Sequence, residues 1–495
     1  MKDQKRWMTN WIRALVVGTL IAGTVPLSVM AVEKGWVNEN GAVHFVDSNG
    51  SYAKNEWKTS QGVSYYLDGE GNLAKNTWID GTYYAGEDGS MTKESWIYVD
   101  ENEGSMKSGW YYLGRNGKVE KNDWKTIEKA KYCFDSDGRM RTGWHYENGD
   151  IYYLGNGSEG YTRSGWYFLE SNGKKRPAEG SISKDLVPDS ENGKWYYFQS
   201  NGKARKGENG VPKEAAIDGR KYYFDENGVM LTGWQCVKEK AEPGDGTGIS
   251  RFVYLGGKED GMLKGKWFET SERPWDTKAW STALNVQAVR KTNAEETALM
   301  KKDGSRWFYL ENNGSPLFLS ADATGVKDGA VKIDGKYYFF DSYGVCQSGL
   351  IKFTSGGKME TAYFDPEAGG AMSIGRNTNA VDKKDKVYTF CSGTSGSEKG
   401  CGVTGEKDGF LYNNGLLVSA KEGSSYGSFK VAGQIYLVNE NGKVQTEEKK
   451  YSSNGKAAYI IENGKVFTLD KDGEKKSEAT GLSLPYAGWK IQYQR

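Results

Sequence analysis

Tryptophan recurs through the first third of the chain at positions 36, 57, 78, 96, 110, 124, 144 and 166, with gaps of 14 to 22 residues. Four of them follow glycine: Gly35-Trp36, Gly109-Trp110, Gly143-Trp144 and Gly165-Trp166. Between them runs a second signature, paired aromatic residues followed by a polar turn that ends in glycine. Tyr65-Tyr66-Leu67-Asp68-Gly69-Glu70-Gly71 and Tyr111-Tyr112-Leu113-Gly114-Arg115-Asn116-Gly117 are two copies; Tyr196-Tyr197-Phe198 and Tyr222-Tyr223-Phe224 open two more. Each unit reads as a short strand of alternating residues, with Asn-Gly or Asp-Gly supplying the positive φ angles of a tight hairpin turn. A lone hairpin of this size is marginal in water. The repeat therefore implies hairpins stacked on their neighbours, each stabilised by the interface to the next. The expected fold is all-β, a solenoid of stacked short β-hairpin repeats.

Composition agrees. The 495 residues include 66 Gly and only 9 Pro, and 17 Phe, 17 Trp and 32 Tyr make aromatic rings as frequent as glycines. Apolar residues are 37% of the chain and the mean hydropathy is −0.72. That is too lean for a helical bundle, a buried parallel sheet or several membrane spans, and too aromatic for plain disorder. The rhythm is uneven: residues 32–310 hold fourteen tryptophans and 311–495 only Trp489. Residues 32–270 are accordingly assigned to Trp-rich repeats, 271–300 to a connector with a short helix near 275–300, 301–475 to degenerate hairpin repeats and 476–495 to a tail.

Residues 1–31 read as an export signal, with Lys2, Lys5, Arg6 and Arg13 before an apolar body and Val29-Met30-Ala31 as the cleavage site. Removing them leaves 62 basic and 64 acidic residues, a formal charge of −2. A near-neutral, mixed surface has no field for gripping phosphate backbones, so nucleic acid is not an expected partner. No later stretch is long and apolar enough to span a bilayer as a helix. The expected location is outside the cell, at the wall or surface.

Five cysteines sit at 133, 236, 346, 391 and 401. Their spacing is not that of a zinc site; Cys391 and Cys401 are close enough in sequence to close a short loop. Two histidines, His44 and His145, occupy repeat positions, and no catalytic signature is present. Asp135-x-Asp137-Gly138 and Asp470-x-Asp472-Gly473 read as turns rather than calcium loops. The chain is therefore expected to be no enzyme, with no catalytic residue, metal or cofactor.

The alternation of Gly-Trp with Tyr-Tyr-Phe-Asp-x-x-Gly-x-Met resembles the cell-wall-binding repeats of Gram-positive bacteria, which include choline-binding and glucan-binding modules. The nearest units are Tyr222 to Met230 followed by Thr232-Gly233-Trp234, and Tyr132 to Met140 followed by Thr142-Gly143-Trp144. The resemblance implies aromatic cages between successive hairpins that hold choline of teichoic acid or a polysaccharide. Carried onto this chain, it implies cages of Trp57, Tyr65 and Trp78; of Trp78, Tyr83 and Trp96; of Trp124, Tyr132 and Trp144; and of Trp144, Tyr152 and Trp166, with Trp110 joining Trp96 or Trp124. Met140 and Met230 fall at the family's methionine position. In the choline-binding form a tryptophan often opens the tyrosine strand, as in Trp195-Tyr196-Tyr197, whereas Ser64, Thr82, Ile151 and Lys221 stand there elsewhere. Aromatic boxes suit a quaternary ammonium, which has no hydrogen-bond donor, and the same rings stack on sugars. A competing reading makes the repeats structural, with a C-terminal half that binds a protein or host glycan.

Overall fold

The computed structural model describes residues 34–170, 193–277, 304–453 and 455–494. The expected export signal and most of the expected connector lie outside them. Among the described residues the regular elements are short strands, apart from one helical turn at Val326–Gly329 and 3₁₀ turns at Ile249–Arg251, Pro274–Asp276 and Gly396–Glu398. None of these helices is long and apolar enough to cross a membrane. Two compact units divide the described residues: the first has those up to His145 with Tyr153–Thr162, and the second has Tyr146–Tyr152 and those from Arg163 onward.

The first unit is a succession of two-stranded antiparallel hairpins. Gly35–Glu39 pairs with Ala42–Val46, Glu56–Ser60 with Val63–Leu67, and Thr77–Ile79 with Tyr83–Ala85. Ser95–Val99 then pairs with Gly109–Leu113, and Trp124–Ile127 with Ala130–Cys133. Several hairpins turn on two consecutive residues of positive φ, Asn40-Gly41, Gln61-Gly62, Asp80-Gly81 and Glu128-Lys129. That is the turn geometry whose twist matches the strands.

The paired tyrosines are thus the second strand of each hairpin. The glycine turn after them, expected to close the hairpin, instead leads the chain out of it. In that turn an aspartate caps the backbone: Asp68 Oδ1 accepts the amides of Glu70 and Asn72 at 2.9 and 2.8 Å. The chain then bridges back, pairing Leu67 with Leu73, Ala85 with Met91, Leu113 with Val119 and Phe134 with Met140. Each bridge residue donates its amide to the hairpin before. Leu73 bonds to Val43 O at 2.8 Å, Met91 to Ser64 O at 2.8 Å, Val119 to Thr82 O at 2.9 Å and Met140 to Trp110 O at 2.8 Å. Side chains on the bridges (Met140, Val119) and on the strands (Leu113, Phe134) are buried at 8% exposure or less. Stability therefore rests on many small interfaces rather than one large core.

The second unit begins in the same style. Its hairpins pair Gly165–Glu170 with Gly193–Phe198, Lys213–Ile217 with Arg220–Phe224, and Gly233–Cys236 with Phe252–Leu255. Lys266–Thr270 pairs with Arg306–Leu310, and Ala330–Ile333 with Lys336–Phe339. The amide spine recurs, from Met230 to Trp195 O, Met262 to Lys221 O and Cys346 to Trp307 O, each 2.8 Å. Beyond Gly349 the strands gather into larger sheets of three to five. The segment expected to be a tail contributes a strand there: Ile491–Gln494 lies parallel to Gly349–Ser355. Trp489, two residues before that strand, shares a buried cluster with Leu350, Tyr363 and Phe390.

Candidate functional site

The first-strand tryptophan of each early hairpin lies opposite a second-strand aromatic: Trp36 faces Phe45, Trp57 Tyr66, Trp78 Tyr84 and Trp96 Tyr112. The tyrosine just before that aromatic points to the other face of the strand. There it meets the tryptophan of the preceding hairpin. Centroids are 5.3 Å apart for Trp36–Tyr65, 5.4 Å for Trp57–Tyr83, 5.3 Å for Trp78–Tyr111 and 4.9 Å for Trp96–Tyr132. All four pairs are edge-to-face, the arrangement ring quadrupoles favour, worth ~0.5–1.5 kcal/mol per pair beyond burial.

Two residues before the cross-strand aromatic, the side chain returns to the tryptophan's face. In three of the described hairpins that position is a second tryptophan, and there the seam becomes a three-walled box. Trp96 and Trp110 stand 6.4 Å apart at 87°, with Tyr132 of the next hairpin 4.9 Å from Trp96. Trp166 and Trp195 stand 6.3 Å apart at 87°, with Tyr222 4.7 Å from Trp166. Trp267 and Trp307 stand 6.4 Å apart at 77°, with Tyr338 4.7 Å from Trp267. Behind each, a phenylalanine of the next hairpin lies 5.8 to 6.0 Å from the first indole: Phe134, Phe224 and Phe340. Met140, Met230 and Cys346 belong to the same three clusters. All six tryptophans are half-buried, with part of each ring open to solvent. Burial, helped by the charges of Glu94, Glu128 and Glu120, pushes the Tyr112 phenol up; burial does the same at Tyr338, aided by Cys346 and Asp334. These phenols therefore stay neutral at physiological pH.

The structure therefore re-registers the cages read from the sequence. Tyr65 packs on Trp36 and Tyr83 on Trp57, so the groupings around Trp57–Trp78 and Trp78–Trp96 shift by one hairpin, because neighbouring strand residues face opposite ways. Trp96, Tyr132 and Trp166 enter the three-walled boxes. Trp57 and Trp78 have one indole wall only, since Ser64 and Thr82 take the second place. Trp124 meets His145 edge-on at 5.5 Å, and the Lys131 ammonium lies 4.6 Å from its centroid. Trp144 and Tyr152, each 5% exposed, leave little ring surface for a ligand. Trp195, Tyr222, Trp267, Trp307 and Tyr338 stand outside the expected cages, while Trp110, expected beside Trp96 or Trp124, stands beside Trp96. Their signal is the triplet that opens the second strand: Trp110-Tyr111-Tyr112, Trp195-Tyr196-Tyr197 and Trp307-Phe308-Tyr309.

The remaining candidates are structural. His44 stacks on Tyr52 at 4.3 Å, and its Nδ1 lies 2.8 Å from Gly71 O. Asp135 and Asp470 cap their own turns through backbone amides. Among the described residues no group of three or more His, Cys, Asp or Glu could hold a metal ion. None of the five cysteines is in a disulfide; Cys391 and Cys401 flank the Ser392–Gly402 bridge without joining.

Comparison with known proteins fits this architecture. Residues 51–90 and 121–166 each match a choline-binding repeat, and residues 34–52, 190–204, 216–230 and 301–315 match the cell wall binding repeat of the same group. These hairpins are choline-binding repeats. Among curated relatives of this chain, Glucosyltransferase-S of Streptococcus mutans serotype c is 25% identical over 256 residues, 51% of this chain and 14% of that protein. Glucosyltransferase-I of Streptococcus downei is 27% identical over 147 residues, 28% of this chain and 8% of that protein. The chain thus matches a small fraction of each relative's length. Among solved structures, choline binding protein F of Streptococcus pneumoniae, with a peptidoglycan analogue present, is 21% identical over 72% of this chain and 98% of its own, with a TM-score of 0.38. The modular autolysin LytC of the same species is 18% identical over 64% of this chain and 55% of its own, with a TM-score of 0.33.

Proposed function

We propose that this protein is exported and attaches to the bacterial cell envelope by holding quaternary ammonium groups, the choline of teichoic acid, in three aromatic boxes. The observation that carries this reading is the threefold recurrence of two orthogonal indoles and a tyrosine from the next hairpin. Tryptophan has the strongest cation–π face, and a trimethylammonium group loses no hydrogen bond when it leaves water for such a box. Three boxes on one chain also supply multivalency: a polymer bearing many choline groups engages them together and is held far more tightly than a single choline. The protein works as a binding module without chemistry of its own. The test is a choline titration of the full chain followed by tryptophan fluorescence and calorimetry, with three equivalents bound as the expected result. Failure of choline and of tetramethylammonium to bind overturns the reading.

A polysaccharide ligand is the second reading. An open groove of about 590 Å³ in the first unit is lined by Tyr66 and Trp78 together with Asn55, Asp68 and Asp80. A stacking face beside amide and carboxylate acceptors suits a sugar. Retention on a dextran matrix that choline does not release would favour it.

A further inference from the structure

The Trp195 wall of the box made by Trp166, Trp195 and Tyr222 already faces a cation that belongs to the chain. Lys258 sits in the turn Gly257 to Gly261, which closes through the amides of Asp260 and Gly261 to Gly257 O at 3.1 and 2.9 Å. The turn is fastened to the wall of the box at two points. Met262, just after it, donates its amide to Lys221 O at 2.8 Å, and the Tyr222 hydroxyl donates to Lys258 O at 2.6 Å. With its backbone held there, the Lys258 ammonium lies 5.1 Å from the Trp195 centroid. Its counter-ion Glu259, at 2.8 Å, is 80% exposed, so the pair draws the lysine toward water as well as toward the ring. Among the described residues no cation lies over Trp96 or Trp110 in the corresponding box.

A lysine ammonium and a trimethylammonium group seek the same electron-rich ring face. The lysine keeps a hydration shell and an ion-pair partner when it swings away, whereas the methylated cation does not need either. A tethered occupant lowers the apparent affinity of a site by the fraction of time it fills it. We infer that Lys258 is a built-in competitor for the Trp166–Trp195–Tyr222 box, displaced by a quaternary ammonium ligand, so that this box fills after the one at Trp96–Trp110. The inference rests on the boxes being ammonium sites.

Choline titrated into the full chain carrying Trp110→Leu and Trp307→Leu reads this box alone. Adding Lys258→Ala is expected to tighten choline about threefold, the worth of one exposed cation–π contact. Lys258→Arg keeps the cation and holds the affinity at its starting level. The same Lys258→Ala change in the otherwise unaltered chain moves the weakest binding step to lower choline, a readout that does not depend on the double variant folding. Unchanged or weaker binding on Lys258→Ala, in a chain whose other boxes still take choline, overturns the competitor. Absence of choline binding in the unaltered chain overturns the box reading itself, and the competitor with it.

Discussion

Trp96 and Trp110 stand at right angles with centroids 6.4 Å apart, and the same relation holds for Trp166 with Trp195 and Trp267 with Trp307. The partners are 14, 29 and 40 residues apart in sequence. Loop length is irrelevant because the strand register fixes the geometry: Tyr98 opposes Trp110, Phe168 opposes Trp195 and Glu269 opposes Trp307. The first indole sits two pairs along on the same face.

Replacing the second indole should therefore remove a ligand without removing the hairpin. Trp110→Leu is expected to lower the number of choline molecules bound from three to two, while Trp57→Leu leaves the number at three and lowers the melting temperature. Calorimetric stoichiometry and a thermal melt separate the two outcomes.

Gly117 tests the stacking of turns. It holds φ at +76°, and a Cβ there would lie 2.4 Å from Met91 Sδ and 3.4 Å from Thr92 O. Gly117→Ala combines backbone strain with a clash and should cost ~1–3 kcal/mol. Adding Met91→Ala should relieve the clash but not the strain, a coupling visible in a double-mutant cycle by denaturant melts.

The aspartate turns should hold without metal. Asp135 is 7% exposed; its Oδ1 accepts the amides of Asp137 and Arg139 at 3.0 and 2.8 Å, and its Oδ2 pairs with the Arg139 guanidinium at 3.1 Å. Asp135→Ala leaves those donors unpaired and is expected to destabilise the first unit by ~1–3 kcal/mol. Adding calcium or a chelator should leave the melting temperature of the parent chain where it is.

Alkaline pH should loosen the second unit. Burial pushes the Tyr363 and Tyr412 phenols up to about 12, from an ordinary value of 10.0, with the Cys391 thiol adding to the shift at Tyr412. Below pH 10 both phenols are protonated whether the chain is folded or not. Between 10 and 12 the unfolded chain releases protons that the folded one keeps, so stability falls as pH rises. Tyr363→Phe and Tyr412→Phe should each flatten that decline in melts taken across pH 9 to 12.

The hairpins were legible because their turns and aromatic pairs are local: Gln61-Gly62 and Tyr65-Tyr66 lie in one stretch of chain. The ligand boxes were legible in part. Trp96, Tyr132 and Trp166 were marked, but spacing does not say which hairpin a strand residue faces, so Tyr65 was grouped with Trp57 rather than Trp36. Trp110 was legible as a partner of Trp96 or Trp124, whereas Trp307 opens Phe308-Tyr309 rather than a tyrosine pair, so the same pattern is disguised there. The sheets beyond Gly349 depend on pairings such as Ile351 with Ile491, remote in sequence and unmarked by any repeat.

The amide that runs from bridge residues such as Leu73, Met91, Val119 and Met140 to the hairpin before has an arithmetic consequence. Each rung joined in this way bonds to one backbone carbonyl of the hairpin before it, as Met91 does to Ser64 and Met140 to Trp110. A chain made this way can gain or lose whole rungs without inventing a new contact, and the number of grips it presents becomes a matter of count rather than of design.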